Sequence, residues 1–213
     1  MKNLPKNIGI IMDGNRRWAS NRKLPTAYGH SQGVKALKKI VKSCSEINIS
    51  QLNIFAFSSE NWKRDPLEIR SIMHLIETYL KSEIAELNSQ NICFKVFGNK
   101  EKINKKINIL IESAEKITCN NNGLKLNIAL SYSGRNDILY STKNIAEKVS
   151  LGKLKVNDIS EDLFQKNLLS SYVDDIDLLI RTSGEQRLSN FLLWQLQYSE
   201  IYFSNKLWPR FYL

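Results

Sequence analysis

A chain of 213 residues, 42% hydrophobic and 24% charged, is long enough for one well-buried domain, too short for two, and ordinary in composition for a globular protein. No apolar run approaches the ~18 residues of a membrane span, and Met1-Lys2-Asn3-Leu4-Pro5 leads straight into a strand-like run, which reads as no signal peptide. The net charge of +10 is uneven: the first 42 residues carry ten of the 31 Lys/Arg side chains and a single acid, Asp13. Such polarity suits nucleic acid, an anionic membrane surface or a phosphorylated ligand. A solvated helix face is the plainer account of Lys35, Lys38, Lys39 and Lys42. Cys44, Cys93 and Cys119 are scattered without metal-ligand spacing and read as buried thiols of a reduced, cytoplasmic protein.

In chain order, residues 8–12 form an apolar run that predicts a short buried strand. A helix is expected over about residues 30–47, with Val34, Leu37, Val41 and Cys44 as its apolar stripe. Residues 52–57 predict a second strand. A long helix should start at Asp65, with Pro66 in its first turn and Glu68 three residues on, a capping-box-like signal. Residues 92–97 and 124–132 read as strands flanking a helix over 101–118, with helices over 136–149 and 160–170 to follow. A strand at 176–181, a helix beginning near Ser189 and a short strand at 200–203 complete the pattern. Asp174-Asp175-Ile176-Asp177 lacks Asp-Asp-x-x-Asp spacing and reads as a loop leading into its strand. Repeated βα alternation predicts a single α/β domain with a mostly parallel central sheet flanked by helices.

Four polar segments fall just beyond predicted strands: residues 13–19, 58–64, 133–137 and 181–190. In open α/β sheets that edge is where ligands bind. Asp13-Gly14-Asn15-Arg16-Arg17-Trp18 joins a carboxylate suited to a divalent cation, a glycine that permits close approach and paired arginines suited to phosphate. No Gly-Lys-Ser/Thr follows, so it is not a Walker A loop. Arg181 and Arg187, with Ser189 expected at a helix N-terminus, read as an anion site, although either arginine alone also suits a surface ion pair. His30 opens the first helix as a phosphate donor or a surface residue, and His74 reads as structural. Trp62 has neighbours too polar for a buried strand, which predicts a mobile loop.

Residues 13–19, Gly29-His30-Ser31-Gln32-Gly33, residues 57–64 and 127–135, and residues 181–200 around Ser189-Asn190-Phe191-Leu192-Leu193-Trp194-Gln195 resemble the cis-prenyltransferase family, its bacterial members above all. The resemblance runs in matching order from about residue 7 to 209. It implies a homodimeric α/β enzyme with an elongated hydrophobic tunnel and a requirement for Mg2+. Such an enzyme condenses isopentenyl diphosphate repeatedly onto an allylic diphosphate such as farnesyl diphosphate, with cis double bonds. The product is a long polyprenyl diphosphate such as undecaprenyl diphosphate, a lipid-carrier precursor in cell-wall synthesis.

By matched position, Asp13 engages Mg2+ and diphosphate, and Gly14, Asn15, Arg16 and Arg17 line the allylic diphosphate site beside His30. Arg181, Arg187 and Ser189 match the isopentenyl diphosphate anchors. Glu200 matches a metal-linked carboxylate that reaches across the dimer, and Asn61 a residue linked to proton removal. Trp62 and Glu68 belong to a segment that closes over substrate, while Trp18, Ser58 and Arg64 complete the substrate-binding set. Val34, Ala56 and Leu124 suit the tunnel or ordinary core packing equally.

Two features depart from the family. Thr26 stands where an arginine is usual, so that one phosphate contact is either missing or supplied by a neighbour such as Arg22 or Lys23, and the 213 residues do not include the usual C-terminal helix and Arg-rich tail. A non-catalytic subunit of a heteromeric prenyltransferase is the alternative reading. Nucleic-acid binding is disfavoured, because residues 1–42 hold only Trp18 and Tyr28 as stacking aromatics. Contact with the inner face of the plasma membrane for product release is a further expectation.

Overall fold

The structure, a computed structural model, describes residues 4–211. Six strands form one sheet in which every pairing is parallel: β1 (Asn7–Ile11), β2 (Gln51–Ser58), β3 (Cys93–Phe97), β4 (Lys125–Tyr132), β5 (Leu178–Arg181) and β6 (Glu200–Phe203). Their spatial order is β3-β4-β2-β1-β5-β6. The chain leaves β1 toward β2 and later returns to place β5 on the other side of β1. The crevice beyond β1 is therefore the point where strand order reverses, the usual ligand site of such sheets.

The inner strands are apolar on both faces because helices cover one side and a folded-back segment the other. Helices α1 (Asn15–Ser20), α2 (Thr26–Glu46), α3 (Pro66–Ser89), α4 (Lys105–Thr118), α5 (Gly134–Ser150) and α6 (Glu161–Lys166) alternate with the strands. One core packs Ile10, Leu52, Ile54 and Leu126 of the sheet against Leu37 of α2, Leu80 of α3 and Ile111 of α4. The opposite core packs Ile11, Phe55, Phe97 and Tyr132 against Val173, Phe191, Leu192 and Leu196, with Phe55 and Phe191 stacked at 4.6 Å. A buried amide ladder crosses three strands: Asn127 donates to Asn53 Oδ1 at 2.8 Å, and Asn53 donates to the Ile8 carbonyl at 3.2 Å. Those side chains are satisfied in place, which is what burial of polar groups requires.

The start of α3 follows its local signals. Asp65 Oδ1 accepts from the backbone N–H groups of Leu67 (2.7 Å) and Glu68 (3.3 Å), with Pro66 in the first turn. Such a cap stabilises a helix by ~1 kcal/mol. The Glu68 carboxylate turns away to His30 and Arg64.

Several expectations change. Helix α2 begins at Thr26, four residues early, behind Pro25, and α1 was not anticipated in so short and polar a stretch. Helix α4 begins only after Asn104, whose side chain accepts from Ile107 N at 2.9 Å, and α6 stops at Lys166. No helix begins at Ser189. Ser189, Asn190 and Leu192 all have positive φ (49°, 63° and 37°), and the chain winds there in turns that bury Phe191 and Leu192 completely. Asn190 enforces that path: its carbonyl accepts from Gly134 N at 2.7 Å and its side chain from Arg135 N at 2.9 Å.

Cys44 and Cys93 are buried, but Cys119 is exposed, and burial pushes the Cys44 thiol up to about 11. His74 lies on the exposed side of α3 rather than among its apolar contacts. Lys35, Lys38, Lys39 and Lys42 are exposed, with Lys38 paired to Glu83 at 2.6 Å, as a solvated face requires. Among the described residues no helix is long and apolar enough to cross a membrane.

Candidate active site at the strand-order reversal

The loop after β1 is shaped first by Gly14. Its φ of 106° is left-handed, and a Cβ there would stand 2.9 Å from Ser183 Cβ and from Leu207 Cδ2. Conformation and space both require glycine. Gly29 and Gly33 do the same for α2, where a Cβ would meet the Asn15 carbonyl oxygen at 2.2 Å and its Oδ1 at 2.4 Å. That glycine pair lets α1 lie directly on α2 and brings His30 to the crevice.

The loop after β5 closes on it from the other side. Arg181 is only 4% exposed. Its Nη2 donates to Asp13 Oδ2 at 2.9 Å, and its Nη1 donates to the Arg187 carbonyl at 2.5 Å and Ser189 Oγ at 2.6 Å. Arg17 Nη2 donates to Ser183 Oγ at 2.6 Å and Glu185 Oε1 at 2.9 Å. Glu185 also pairs with Arg187, and these two guanidinium groups, Arg187 first, hold its carboxyl below the usual range.

The segment after β2 is a turn of 3-10 helix over Ser59–Lys63 rather than an open loop. Asn61 Oδ1 accepts from Ser58 N at 3.0 Å. Trp62 packs edge-on to Phe57 at 4.9 Å and donates its Nε1–H to Ser131 Oγ at 2.9 Å. Glu60 Oε1 accepts from Asn190 Nδ2 at 3.1 Å, tying this segment to the loop after β5. Behind it, Glu68 Oε1 joins His30 Nε2 at 3.3 Å and Arg64 Nη1 at 3.0 Å. Burial outweighs the Glu68 hydrogen bond and lowers the His30 pKa from 6.5, so the imidazole is neutral at pH 7.

These loops enclose a polar cavity of about 640 Å³. Asp13, Asn15, Arg17, His30, Ser58, Asn61, Arg64, Arg181, Arg187 and Ser189 line it, as do Glu60 and Asn190, which the sequence had not singled out as site residues. The hydrogen bond between Glu60 and Asn190 joins segments 130 residues apart, so no local pattern marks it. An apolar cavity of about 110 Å³ lies between α2, α3 and the sheet, and Met12, Asn15, His30, Ala56 and Ile72 line both cavities. Val34 and Ala56 line the apolar one, whereas Leu124 is core and does not.

The other sequence candidates lie outside the polar cavity. Gly14 shapes its turn, Arg16 is exposed, and Glu68 stands behind His30 and Arg64. Trp18 stacks on Tyr28, with the Arg22 guanidinium 4.3 Å over its ring. Arg22 is thus engaged elsewhere, and neither it, Lys23 nor Thr26 lines the cavity. Trp62 faces a groove against α3. Glu200 lies exposed on the outermost strand, so a single chain does not bring it to Asp13.

Among the described residues no three His, Cys, Asp or Glu side chains converge as a metal cluster. Two carboxylates, Asp13 and Glu60, among four arginines (Arg17, Arg64, Arg181 and Arg187) fit an ion held mainly by substrate phosphate and water, the manner of Mg2+. Among the described residues, two buried polar atoms of cavity-lining residues, Arg181 Nε and Asn15 Oδ1, have no hydrogen-bond partner. An N–H donor and a carbonyl acceptor left open in this way mark a place for a ligand.

A crevice of this kind, basic where it is polar and continued by an apolar cavity, defines an α/β protein for phosphorylated hydrocarbon substrates. Residues 11–213 match the family model described as "Putative undecaprenyl diphosphate synthase". A Vibrio cholerae protein named ditrans,polycis-undecaprenyl-diphosphate synthase, specific for (2E,6E)-farnesyl diphosphate, is 45% identical over 98% of this chain and 83% of its own. A Prochlorococcus marinus isoprenyl transferase is 47% identical over 98% of this chain and 76% of its own. The crystal structure of lavandulyl diphosphate synthase from Lavandula x intermedia, in complex with dimethylallyl diphosphate, superposes with a TM-score of 0.94. It is 39% identical and covers 97% of this chain and 89% of its own. The chain belongs to the undecaprenyl diphosphate synthase family of prenyltransferases.

Proposed function

We propose that this chain elongates farnesyl diphosphate by repeated, cis-selective addition of isopentenyl diphosphate, giving a long polyprenyl diphosphate of the undecaprenyl kind. The observation that carries this reading is the shared rim of the two cavities. A diphosphate held by the arginines has an apolar space directly beside it for its hydrocarbon chain.

In this reading Asp13, Asn15, Arg17 and His30 receive the allylic diphosphate, and Arg181, Arg187 and Ser189 the isopentenyl diphosphate. The allylic C–O bond breaks with its electron pair passing to the departing diphosphate. The Arg17 guanidinium, already fixed by Ser183 and Glu185, stabilises that charge without reorganising. The π electrons of isopentenyl diphosphate form the new carbon–carbon bond, and the proton lost to restore the alkene passes to an oxygen of the departed diphosphate, with Asn61 beside it. When bound, Mg2+ neutralises charge on the leaving diphosphate. Asp13 is the residue of this chain to hold it, with Glu200 from a second copy.

The homodimer is supported by the free edge of β6, where Tyr198, Ile201 and Tyr202 are 90%, 46% and 54% exposed. Residence in the cytoplasm, with contact at an anionic membrane surface for product release, is supported by the unpaired cysteines and the basic first 42 residues. The gathering of Asp13, Asn61, Arg181 and Arg187 in one crevice argues against a non-catalytic subunit. The test is incubation with labelled isopentenyl diphosphate, farnesyl diphosphate and Mg2+, with products sized by chromatography. Long cis-prenyl diphosphates are expected, and the absence of any chain longer than the substrate overturns the reading.

A further inference from the structure

Arg181 at the end of β5 and the two residues after it each grip a different part of the segment from Asp13 to Arg17. Arg181 takes the Asp13 carboxylate and Ser183 takes the Arg17 guanidinium. Between them Thr182, fully buried, uses one hydroxyl on both sides of the same residue: Oγ1 accepts from Asp13 N at 3.0 Å and donates to the Asp13 carbonyl at 2.6 Å. The Asp13 carbonyl accepts a second bond from Trp208 N at 3.0 Å, and Asp13 N also reaches the Ile11 carbonyl at 2.9 Å. Both backbone polar groups of Asp13 are thereby committed to fixed partners, and the next residue, Gly14, leaves in a left-handed conformation.

We infer that Thr182 is a positioning residue: its hydroxyl sets the direction of the Asp13 carboxylate in the crevice, and this role rests on the activity proposed above. A branched apolar side chain would fill the same space yet leave the Asp13 N–H with only the Ile11 carbonyl and the Asp13 C=O with only Trp208 N. The peptide could then rotate, swinging the carboxylate away from Arg181 and from a bound diphosphate. Misplacement of a reacting group by about 1 Å costs as much as 10²-fold in rate.

The test compares Thr182→Val, Thr182→Ala and Thr182→Ser in steady-state kinetics with farnesyl and isopentenyl diphosphates, alongside thermal melting. Ala and Ser differ by the single oxygen in question. The expected result is a loss of about 10–100-fold in kcat for Val and Ala. Both KM values should change much less than kcat, and Ser should return kcat to near the wild-type level. Should Thr182→Val fail to fold, the Ala and Ser pair decides alone. Equal kcat losses in Ala and Ser, or wild-type kcat in Ala, overturn the inference. If the wild-type chain forms no product, the proposed activity fails separately, and positioning is read from calorimetric binding of inorganic pyrophosphate. Binding several-fold weaker in Ala but not in Ser supports it, and equal binding in the two overturns it.

Discussion

Arg181 and Asp13, 168 residues apart in sequence, meet as an ion pair of 2.9 Å in which the arginine is buried and the carboxylate is 30% exposed. The pair is asymmetric by design of the fold. Arg181 is held by two further acceptors, whereas Asp13 presents its open side to the cavity. In the proposed function a diphosphate shares this guanidinium with the carboxylate, and Arg181 is already buried for it.

Arg181→Ala should lower kcat/KM for isopentenyl diphosphate by about 10²–10³-fold, the loss typical of removing one preorganised donor. Steady-state kinetics at saturating farnesyl diphosphate measures it. Stability should fall as well, since the Ser189 hydroxyl and the Arg187 carbonyl lose their donor.

Asp13→Asn should abolish turnover while the melting temperature stays within a few degrees of wild type. The amide oxygen still accepts from Arg181, and the backbone clamps from Thr182 and Trp208 are untouched. Asp13→Ala should be less stable by about 1–3 kcal/mol, because Arg181 then lacks one buried acceptor. A large loss of melting temperature in Asp13→Asn would instead make the carboxylate structural.

Stability should fall with acidification through the His30 equilibrium. The folded-state pKa of His30 lies below its ordinary 6.5. As pH drops past 6.5 the unfolded chain binds this proton before the native one, so stability declines until the folded pKa is reached. His30→Asn should flatten that part of the profile, read as urea midpoints between pH 7.5 and 5. An unchanged slope would show that His30 titrates normally in the fold.

Trp62→Phe removes the Nε1–H bond to Ser131 while keeping the edge-on contact with Phe57. The expected cost is about 0.5–1.5 kcal/mol in stability. Catalytic efficiency toward farnesyl diphosphate should drop several-fold, because the Ser59–Lys63 turn that carries Asn61 loses an anchor. Urea unfolding and kinetics on the same preparation separate the two effects.

Ile201→Lys on the exposed edge of β6 tests the proposed dimer. Sedimentation should shift to monomer, and activity should fall with it if Glu200 serves the neighbouring crevice. A fully active monomer would remove Glu200 from the site.

Much of this fold is legible in the sequence because its signals are local. Asp65 and Pro66 start α3 through hydrogen bonds and a φ angle confined to one turn, and the apolar runs of β1 to β4 need only their own composition. The motif loops also announce themselves: a carboxylate, glycine and arginines after a strand carry phosphate chemistry in their side chains. Failures cluster where a distant partner overrides local preference. Asn190 tolerates left-handed backbone, but Ser189 and Leu192 have no such preference, and the bonds from Gly134 and Arg135 to Asn190 help to hold the segment there. Trp62 reads as loop until Ser131 and Phe57 come beneath it.

What the sequence alone determined is the inventory: strand-forming segments, the start of α3, and a carboxylate, glycine and arginines suited to phosphate. Which of them meet was decided by the tertiary structure. Parallel pairing of β5 beside β1 sets Arg181 in register with Ile11, and that register delivers Arg181, Thr182 and Ser183 to Asp13 and Arg17. The same topology leaves Glu200 on the far edge of the sheet, away from the crevice its motif suggests. Strand neighbours are chosen by burial of whole faces and by chain crossovers, long-range terms that no window of residues contains.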